Sequence, residues 1–405
     1  MIVAARPSAL AGQRADPDGR VGGVVIGGDY QGLGIARSLG RHGIPVCVID
    51  DETSIARASR FVQDFVRVRD LRSEASFLDA MALARQRLGP SRWVLYPTRE
   101  ENFAAVAANR DALLQDFRVP TPDLTTIRRA WDKRETYRLA NQLSIPIPRT
   151  WFPRTEKDLA AIDADPPLVV KPAIKEHFFY ATKAKAWRAD TRTQLVSCFR
   201  QAAEIVKEGE IIVQELIPGG GQEQYAFCAF FRSGRAVASM TVRRCRQHPS
   251  DFGRASTFVE TVSLPELAEP SIRFLRAISY YGLVELEYKR DPRDGAYKLL
   301  DVNARTWGYH TLGWSAGVDF PYLLFRDQFG ARVDEVHARP GVLWIRLATD
   351  LPNAVRDIRC GTLRSRDYVR SLRKVQTEAV FSLRDPLPGF YEIALLPYLA
   401  LKRGL

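Results

Sequence analysis

The chain is poor in the residues that build covalently or metal-clipped scaffolds. Its five cysteines, Cys47, Cys198, Cys228, Cys245 and Cys360, share no paired spacing. That excludes a disulfide framework and a zinc site, and it points to a reducing, cytoplasmic compartment. No apolar run reaches the length of a membrane span. Arg6, Arg14, Asp16, Asp18 and Arg20 interrupt any signal-peptide core, so the first twenty residues are expected to be a disordered leader. Internal repeats and low-complexity tracts are also missing. A balance of charge is lacking too: 59 Lys and Arg stand against 47 Asp and Glu, a net of +12. Such an excess invites a nucleic-acid reading. The arginines, however, are spread along the chain and are denser only at Arg243–Arg246 and from Arg356 to Lys374. An anionic nucleotide or membrane face accounts for them as well, and no nucleic acid is expected. What remains is an ordinary composition, 46% hydrophobic and 26% charged over 405 residues, enough for two or three structural units.

Val24–Ile26 reads as a buried strand. It is followed by Gly27-Gly28-Asp29-Tyr30-Gln31-Gly32-Leu33-Gly34, a helix to about His42, and a parallel strand over Ile44–Asp50. The Gly-x-Gly-x-x-Gly fingerprint is absent, so an NAD(P) oxidoreductase is disfavoured, although Asp50 echoes a ribose-binding acid. Further strands over Phe61–Val68 and Trp93–Tyr96, with helices over Ser76–Leu88 and from Asn102 to Leu114, complete an α/β unit. Its boundary falls near Pro120–Pro122.

The chemistry concentrates between Gly282 and Gly308, two strands (Val284–Lys289 and Tyr297–Asn303) around a turn. Alternation sends Glu285, Glu287 and Lys289 to one face, and Asp301 and Asn303 to one face. A three-residue Arg293-Asp294-Gly295 loop would set Glu287 opposite Asp301. Glu287, Asp301 and Asn303 then form an oxygen-rich site for Mg²⁺ or Mn²⁺, a cation that takes further ligands from phosphates and water. Their neighbours Leu286, Leu299, Leu300 and Val302 are apolar, a setting where unpaired carboxylates are costly. Lys171 ends the apolar run Leu168-Val169-Val170, and an ammonium there calls for an anion such as a nucleotide phosphate. The stretch Thr241–Thr257 carries Arg243, Arg244, Arg246 and Arg254, which can clamp phosphate or carboxylate oxygens, or form a solvated basic face.

In their order, these segments resemble the ATP-grasp carboxylate–amine ligases. Asp301-Val302-Asn303-Ala304-Arg305 resembles the metal strand of that family, with Asp for the more usual Glu and Ala304 where Pro is common. Asp132-Lys133, Val169-Val170-Lys171-Pro172 and Gln214-Glu215-Leu216-Ile217-Pro218-Gly219-Gly220 match its other signatures. Arg244 to Gly253 is similar to a branch of uncharacterised ATP-grasp ligases. The resemblance runs from Val24 to about Gly330. It implies an α/β (α+β) architecture, an ATP-grasp fold with an N-terminal Rossmann-like domain: 21–122 Rossmann-like, 123–335 ATP-grasp, 336–405 a C-terminal extension. It implies ATP and Mg²⁺, small-molecule carboxylate and amine substrates, and an acylphosphate that an amine attacks.

By the same resemblance Lys133 and Lys171 contact phosphate. So does Lys183, from a segment Ala173–Lys185 that carries Lys175 and Lys185 but no glycine. Glu215, Leu216 and Ile217 form the adenine hinge, and Glu223, ahead of Gln224, takes the ribose. Glu287, Asp301 and Asn303 hold the metal. Arg305 faces the transferring phosphate, and Arg244 and Arg246 stabilise its charge or the carboxylate. His310 reads as structural ahead of a general base. The alternative to catalysis is a basic nucleic-acid- or membrane-associated protein on a degenerate ATP-binding fold. Phe390–Leu401, apolar but interrupted by Glu392 and Pro397, is expected to pack on the core or to touch a membrane peripherally. A homo-oligomer is compatible with all of this.

Overall fold

The structure, a computed structural model, describes residues 21–207, 209–248 and 255–403, with the side chains of 175–177 and 398–403 excepted. The expected leader, Gly253, Arg254 and the Lys175 side chain lie outside the described residues.

Short apolar strands alternating with helices build the first unit: β1 (Gly23–Ile26), α1 (Tyr30–Arg41), β2 (Val46–Asp50), β3 (Asp64–Arg67), α2 (Glu74–Leu88), β4 (Trp93–Pro97), α3 (Glu100–Ala108), α4 (Arg110–Asp116) and β5 (Phe117–Arg118). The strands are parallel in the order β3-β2-β1-β4-β5, the doubly wound arrangement whose ligand sites lie beyond the C-terminal strand ends. The sequence implied one helix from Asn102 to Leu114, but there are two. Asn109 leaves the helical conformation, and its side-chain amide donates back to Ala105 O at 3.1 Å.

Beyond Pro120–Pro122 come α5 (Leu124–Trp131) and α6 (Lys133–Gln142). Asp132 caps α6 by accepting from the Arg134 N–H at 3.0 Å, which sets Lys133 in the first turn. A small antiparallel sheet follows: β6 (Thr150–Trp151), β7 (Leu168–Pro172), α7 (Lys175–Thr182), β8 (Trp187–Ala189), α8 (Arg192–Ala203) and β9 (Ile211–Glu215), with strand order β6-β9-β7-β8. Its core gathers Leu168, Val170, Phe178, Phe199 and Val213. The glycine-free stretch after Lys171 is helical (α7), in place of a flexible loop.

The large sheet and its connections comprise β10 (Gln224–Arg232), β11 (Arg235–His248), β12 (Ala255–Thr261), α9 (Ala268–Ala277), β13 (Gly282–Arg290), β14 (Tyr297–Asn303), α10 (Thr311–Ala316), α11 (Phe320–Gln328), β15 (Val336–His337), β16 (Leu343–Ile345), α12 (Leu347–Arg359), α13 (Ser365–Leu372), β17 (Thr377–Glu378) and α14 (Leu387–Arg403). The strand order is β14-β13-β10-β11-β12-β16-β17, with β15 beside β11. The described part of the Arg-rich stretch Thr241–Thr257 is strand, in β11 and β12. The segment after 335 supplies three strands of this sheet.

One face of the sheet shares a core with the first unit, where Phe230, Trp307, Phe320 and Trp344 meet Val25, Leu33 and Val48. The other face, with Phe231, Leu286 and Tyr288, is covered by Ile127 and Ala130 of α5 and Phe274 and Leu275 of α9. Among the described residues no helix is long and apolar enough to cross a membrane.

Candidate active site

Along β13, Val284, Leu286 and Tyr288 enter the apolar core, so Glu285 and Glu287 face the first unit. The ladder pairs Glu285 with Asn303 and Glu287 with Asp301. The turn is not the three-residue loop that the sequence implied. Residues 291–296 separate the strands, and that spacing alone would set Glu287 opposite Leu300. A bulge at Leu300 supplies one extra residue, and the acid pairing follows from it. Asn303 Nδ2 donates to Glu285 Oε2 at 2.9 Å and to Glu287 Oε1 at 2.8 Å, while the Tyr309 hydroxyl donates to Glu285. Burial, and then the neighbouring Glu287 charge, push the Glu285 carboxyl up to about 7.

Arg244 extends the buried row Ala236, Ala238, Met240 and Val242 of β11. Its guanidinium donates to Glu287 Oε2 at 3.1 Å, to Gln247 Oε1 at 3.2 Å and to Gln224. Arg246, expected beside it, points elsewhere. A bulge at Cys245 lets Arg244 pair with Val259 and Arg246 with Phe258, which reverses the side-chain parity. Arg246 is instead bidentate to Asp350 at 2.9 and 2.8 Å and lies 3.9 Å over the Phe258 ring, clasping α12 to β11. Arg305 donates to Glu100 Oε1 at 3.0 Å and to Thr306 O at 3.1 Å, and its buried Nε has no partner.

These groups open onto a cavity of about 520 Å³. Asp29, Tyr30 and Thr98–Glu101 line it from the strand ends of the first unit, and Phe179, Tyr180 and Lys183 from α7 and its C-cap. The large sheet supplies Arg244, Glu285, Glu287, Asn303, Arg305 and Arg346. Tyr180 donates to Glu101 Oε1 at 2.7 Å, so α7 is latched across the cavity to the first unit.

The other nucleotide residues named from the resemblance lie along an adjoining seam, between the small sheet and the large one. Lys133 Nζ donates to Asp301 Oδ1 at 2.8 Å; burial works against this ammonium, but Asp301 together with Tyr137 and Glu100 more than offsets it and the pKa rises. Lys171 Nζ donates to the Tyr137 oxygen at 2.7 Å and to Gln214 Oε1 at 2.8 Å, and Tyr137 in turn donates to Leu300 O at 2.7 Å. Glu215 accepts from the Arg149 N–H, Arg293 and Lys298 at 2.9, 2.8 and 3.2 Å. Lys289 Nζ donates to Ile217 O and Gly219 O, and the Leu216 N–H to Pro167 O. Glu223 Oε2 is buried, pairs with Arg290 Nη1 at 4.0 Å and accepts no hydrogen bond.

Asp50 is consumed by the Gly28 N–H at 2.7 Å and by Arg99 at 2.8 Å, so it is not poised for a ribose. His310 is buried, with Nδ1 3.0 Å from Trp307 O, and burial lowers its pKa to about 4.

Sequence reasoning passed over Arg346. It follows the apolar β16 as Lys171 follows Leu168-Val169-Val170, and a basic residue at the end of a buried strand was the available signal. Arg346 is buried 3.9 Å over the Tyr30 ring and donates to Glu392 Oε1 at 3.1 Å, and its Nε has no partner.

Comparison with solved structures places this arrangement. N5-carboxyaminoimidazole synthetase from Staphylococcus aureus superposes with a TM-score of 0.62 at 12% identity, over 84% of this chain and 86% of that one. L-amino acid ligase from Bacillus licheniformis gives 0.58 at 17% identity, over 76% and 74%. The chain has the ATP-grasp fold. In sequence it is 25% identical over 301 residues to D-aspartate ligase of Enterococcus faecium (strain Aus0004), covering 70% of each chain. No protein-family model matches the chain.

On this ATP-grasp frame, two carboxylates and an amide face one another across a ladder. Among the described residues no group of three or more His, Cys, Asp or Glu forms a ready metal cage. A donor set of this kind suits Mg²⁺, which retains waters and phosphate oxygens in its shell. The unpartnered Nε groups of Arg305 and Arg346 suit an anion.

Proposed function

We propose that this chain is an ATP-dependent carboxylate–amine ligase. The observation that carries the reading is the convergence of Glu287, Asn303, Arg244 and Arg305 on one cavity, with the Lys133–Asp301 and Lys171–Tyr137 pairs beside it. Glu287, Asp301 and Asn303 would hold Mg²⁺, which supplies charge neutralisation and orientation at the phosphates. Lys133 and Lys171 bind ATP phosphate oxygens, exchanging internal partners for anionic ones. The adenine end lies by Glu215, Leu216 and Ile217, the ribose by Glu223, and Lys183 covers the phosphates.

The substrate carboxylate lies between Arg305 and Arg346, whose N–H groups orient it toward the γ-phosphoryl group. Phosphorylation gives an acylphosphate and ADP. Attack by an amine then expels phosphate and forms the amide. Arg244 neutralises charge as it develops, from a site where its pKa is raised despite burial because Glu287 lies against it. No protein nucleophile is needed, since phosphoryl transfer rests on positioning and electrostatics. The names of the relatives, an L-amino acid ligase and a D-aspartate ligase, make amino acids the first substrate class to test. Five free thiols support a cytoplasmic setting.

The test is ADP release from Mg²⁺-ATP across a panel of L- and D-amino acids offered in pairs, with Lys171→Ala as blank. Substrate-stimulated ADP formation that vanishes in the blank is expected. ATP binding without turnover on any pair would favour a binding protein, and failure to bind ATP would overturn the reading.

A further inference from the structure

The last described helix has two chemically opposite sides. Between Phe381 and Pro397 the sequence carries two acids, and both are turned inward. Asp385 is 1% exposed and accepts from Arg37 Nε at 2.9 Å, Ser59 Oγ at 2.7 Å and the Arg60 N–H at 3.0 Å. Glu392, equally buried, is held by Arg346. The outward side is apolar: Leu383 is fully exposed, Phe390 68%, Leu387 60% and Ile393 51%. These positions follow one another at helical spacing through α14 and the turn before it, so they form a stripe and not scattered single residues. Cations flank the stripe. Arg384 is exposed within the preceding turn, Arg57 lies 5.8 Å over the Tyr391 ring, and Arg60 is exposed beside Asp385.

We propose that this face docks on an anionic lipid bilayer, with Leu387, Phe390 and Ile393 entering the interface and Arg57, Arg60 and Arg384 meeting lipid phosphates. The charge pattern selects this occupant. A face that withdraws both carboxylates of its own segment, Asp385 and Glu392, and leaves apolar and cationic groups outside complements a surface that is apolar below and negative above. A second copy of the same face would bring its arginines against their own kind. The helix is too short and too interrupted by Pro397 to span, so the contact is peripheral. This inference is independent of the ligase reading, because none of these side chains lines the cavity.

The experiment is sedimentation of the full chain with vesicles of neutral phosphatidylcholine, or of phosphatidylcholine containing one-third phosphatidylglycerol. The expected result is partition onto the anionic vesicles, weakened by salt and lowered about fivefold by each of Arg57→Gln and Arg384→Gln. In Leu387→Glu/Phe390→Glu it is abolished, while the circular dichroism spectrum and ADP formation stay unchanged. Equal binding to neutral vesicles, or none to anionic ones, overturns the proposal. So does a concentration-dependent dimer that the double variant dissociates, which would identify the stripe as an interface between copies.

Discussion

The pair Arg346–Glu392 links the cavity to the terminal helix, and it can be taken apart in both stability and activity. Both side chains are buried and 3.1 Å apart, and Arg346 also stacks on Tyr30. Arg346→Met leaves a buried carboxylate without its partner, which costs about 3–5 kcal/mol. Glu392→Gln keeps an acceptor oxygen for the guanidinium and gives up the ionic part of the bond, about 2 kcal/mol. The double variant removes both charges, so it should lie within about 2 kcal/mol of the parent and well above the sum of the singles. Urea unfolding of the four proteins measures this. In ADP formation, Arg346→Met should lose about 100-fold or more in kcat/KM, roughly 2.7 kcal/mol of transition-state stabilisation. Glu392→Gln, with the arginine still present, should lose less than tenfold. Additive stability losses, or a fully active Arg346→Met protein, would refute the reasoning.

Other outcomes can be checked in parallel. Glu287→Gln and Asp301→Asn should each abolish Mg²⁺-dependent turnover with an unchanged circular dichroism spectrum; full activity in both sinks the metal assignment. His310 is buried with a pKa lowered to about 4 from an ordinary 6.5, so the unfolded chain binds its proton first. Stability is therefore fully present above pH 6.5 and falls as the pH drops toward 4, by about 3 kcal/mol from this residue. Urea midpoints at pH 7, 5.5 and 4.5 should converge for His310→Asn, and parallel pH curves for the two proteins would contradict this. Tyr180→Phe removes the half-exposed bond to Glu101 that latches α7, worth about 1 kcal/mol. The expected result is a several-fold rise in the KM for ATP with kcat within twofold, and an unchanged KM argues against the latch.

The parts of the site that were legible in the sequence rest on strict periodicity. Alternation through Leu286 and Tyr288 was enough to put Glu285 and Glu287 on one face, and Val169-Val170-Lys171 announced a cation at the end of a buried strand. The failures fall where that period slips. Period two joins Arg244 and Arg246, but the bulge at Cys245 separates them, and nothing in Arg-Arg-Cys-Arg marks a bulge. The three-residue turn was wrong for a related reason. Two core residues three apart, Leu299 and Val302, break the alternation and could have disclosed the irregularity at Leu300. Arg346 and Glu392 lie in the stretch where resemblance ends, and their meeting depends on a tertiary contact across 46 positions. The helix that ends at Lys183 was open as well, because a missing glycine says what the segment is not and leaves its conformation to packing.

The residue at the β14 bulge has a consequence for how this site can change by descent. Deleting Leu300 would leave an even ladder, and Glu287 would still face Asp301 and Glu285 still face Asn303, so by pairing alone the residue is dispensable. Its carbonyl, however, receives the Tyr137 hydroxyl, and Tyr137 holds Lys171. A single-codon loss there would spare the acids and take the acceptor from Tyr137, one of the two groups that hold Lys171. The extra residue therefore acts as a coupling between two halves of the site, and a lineage that smoothed its strand would separate them.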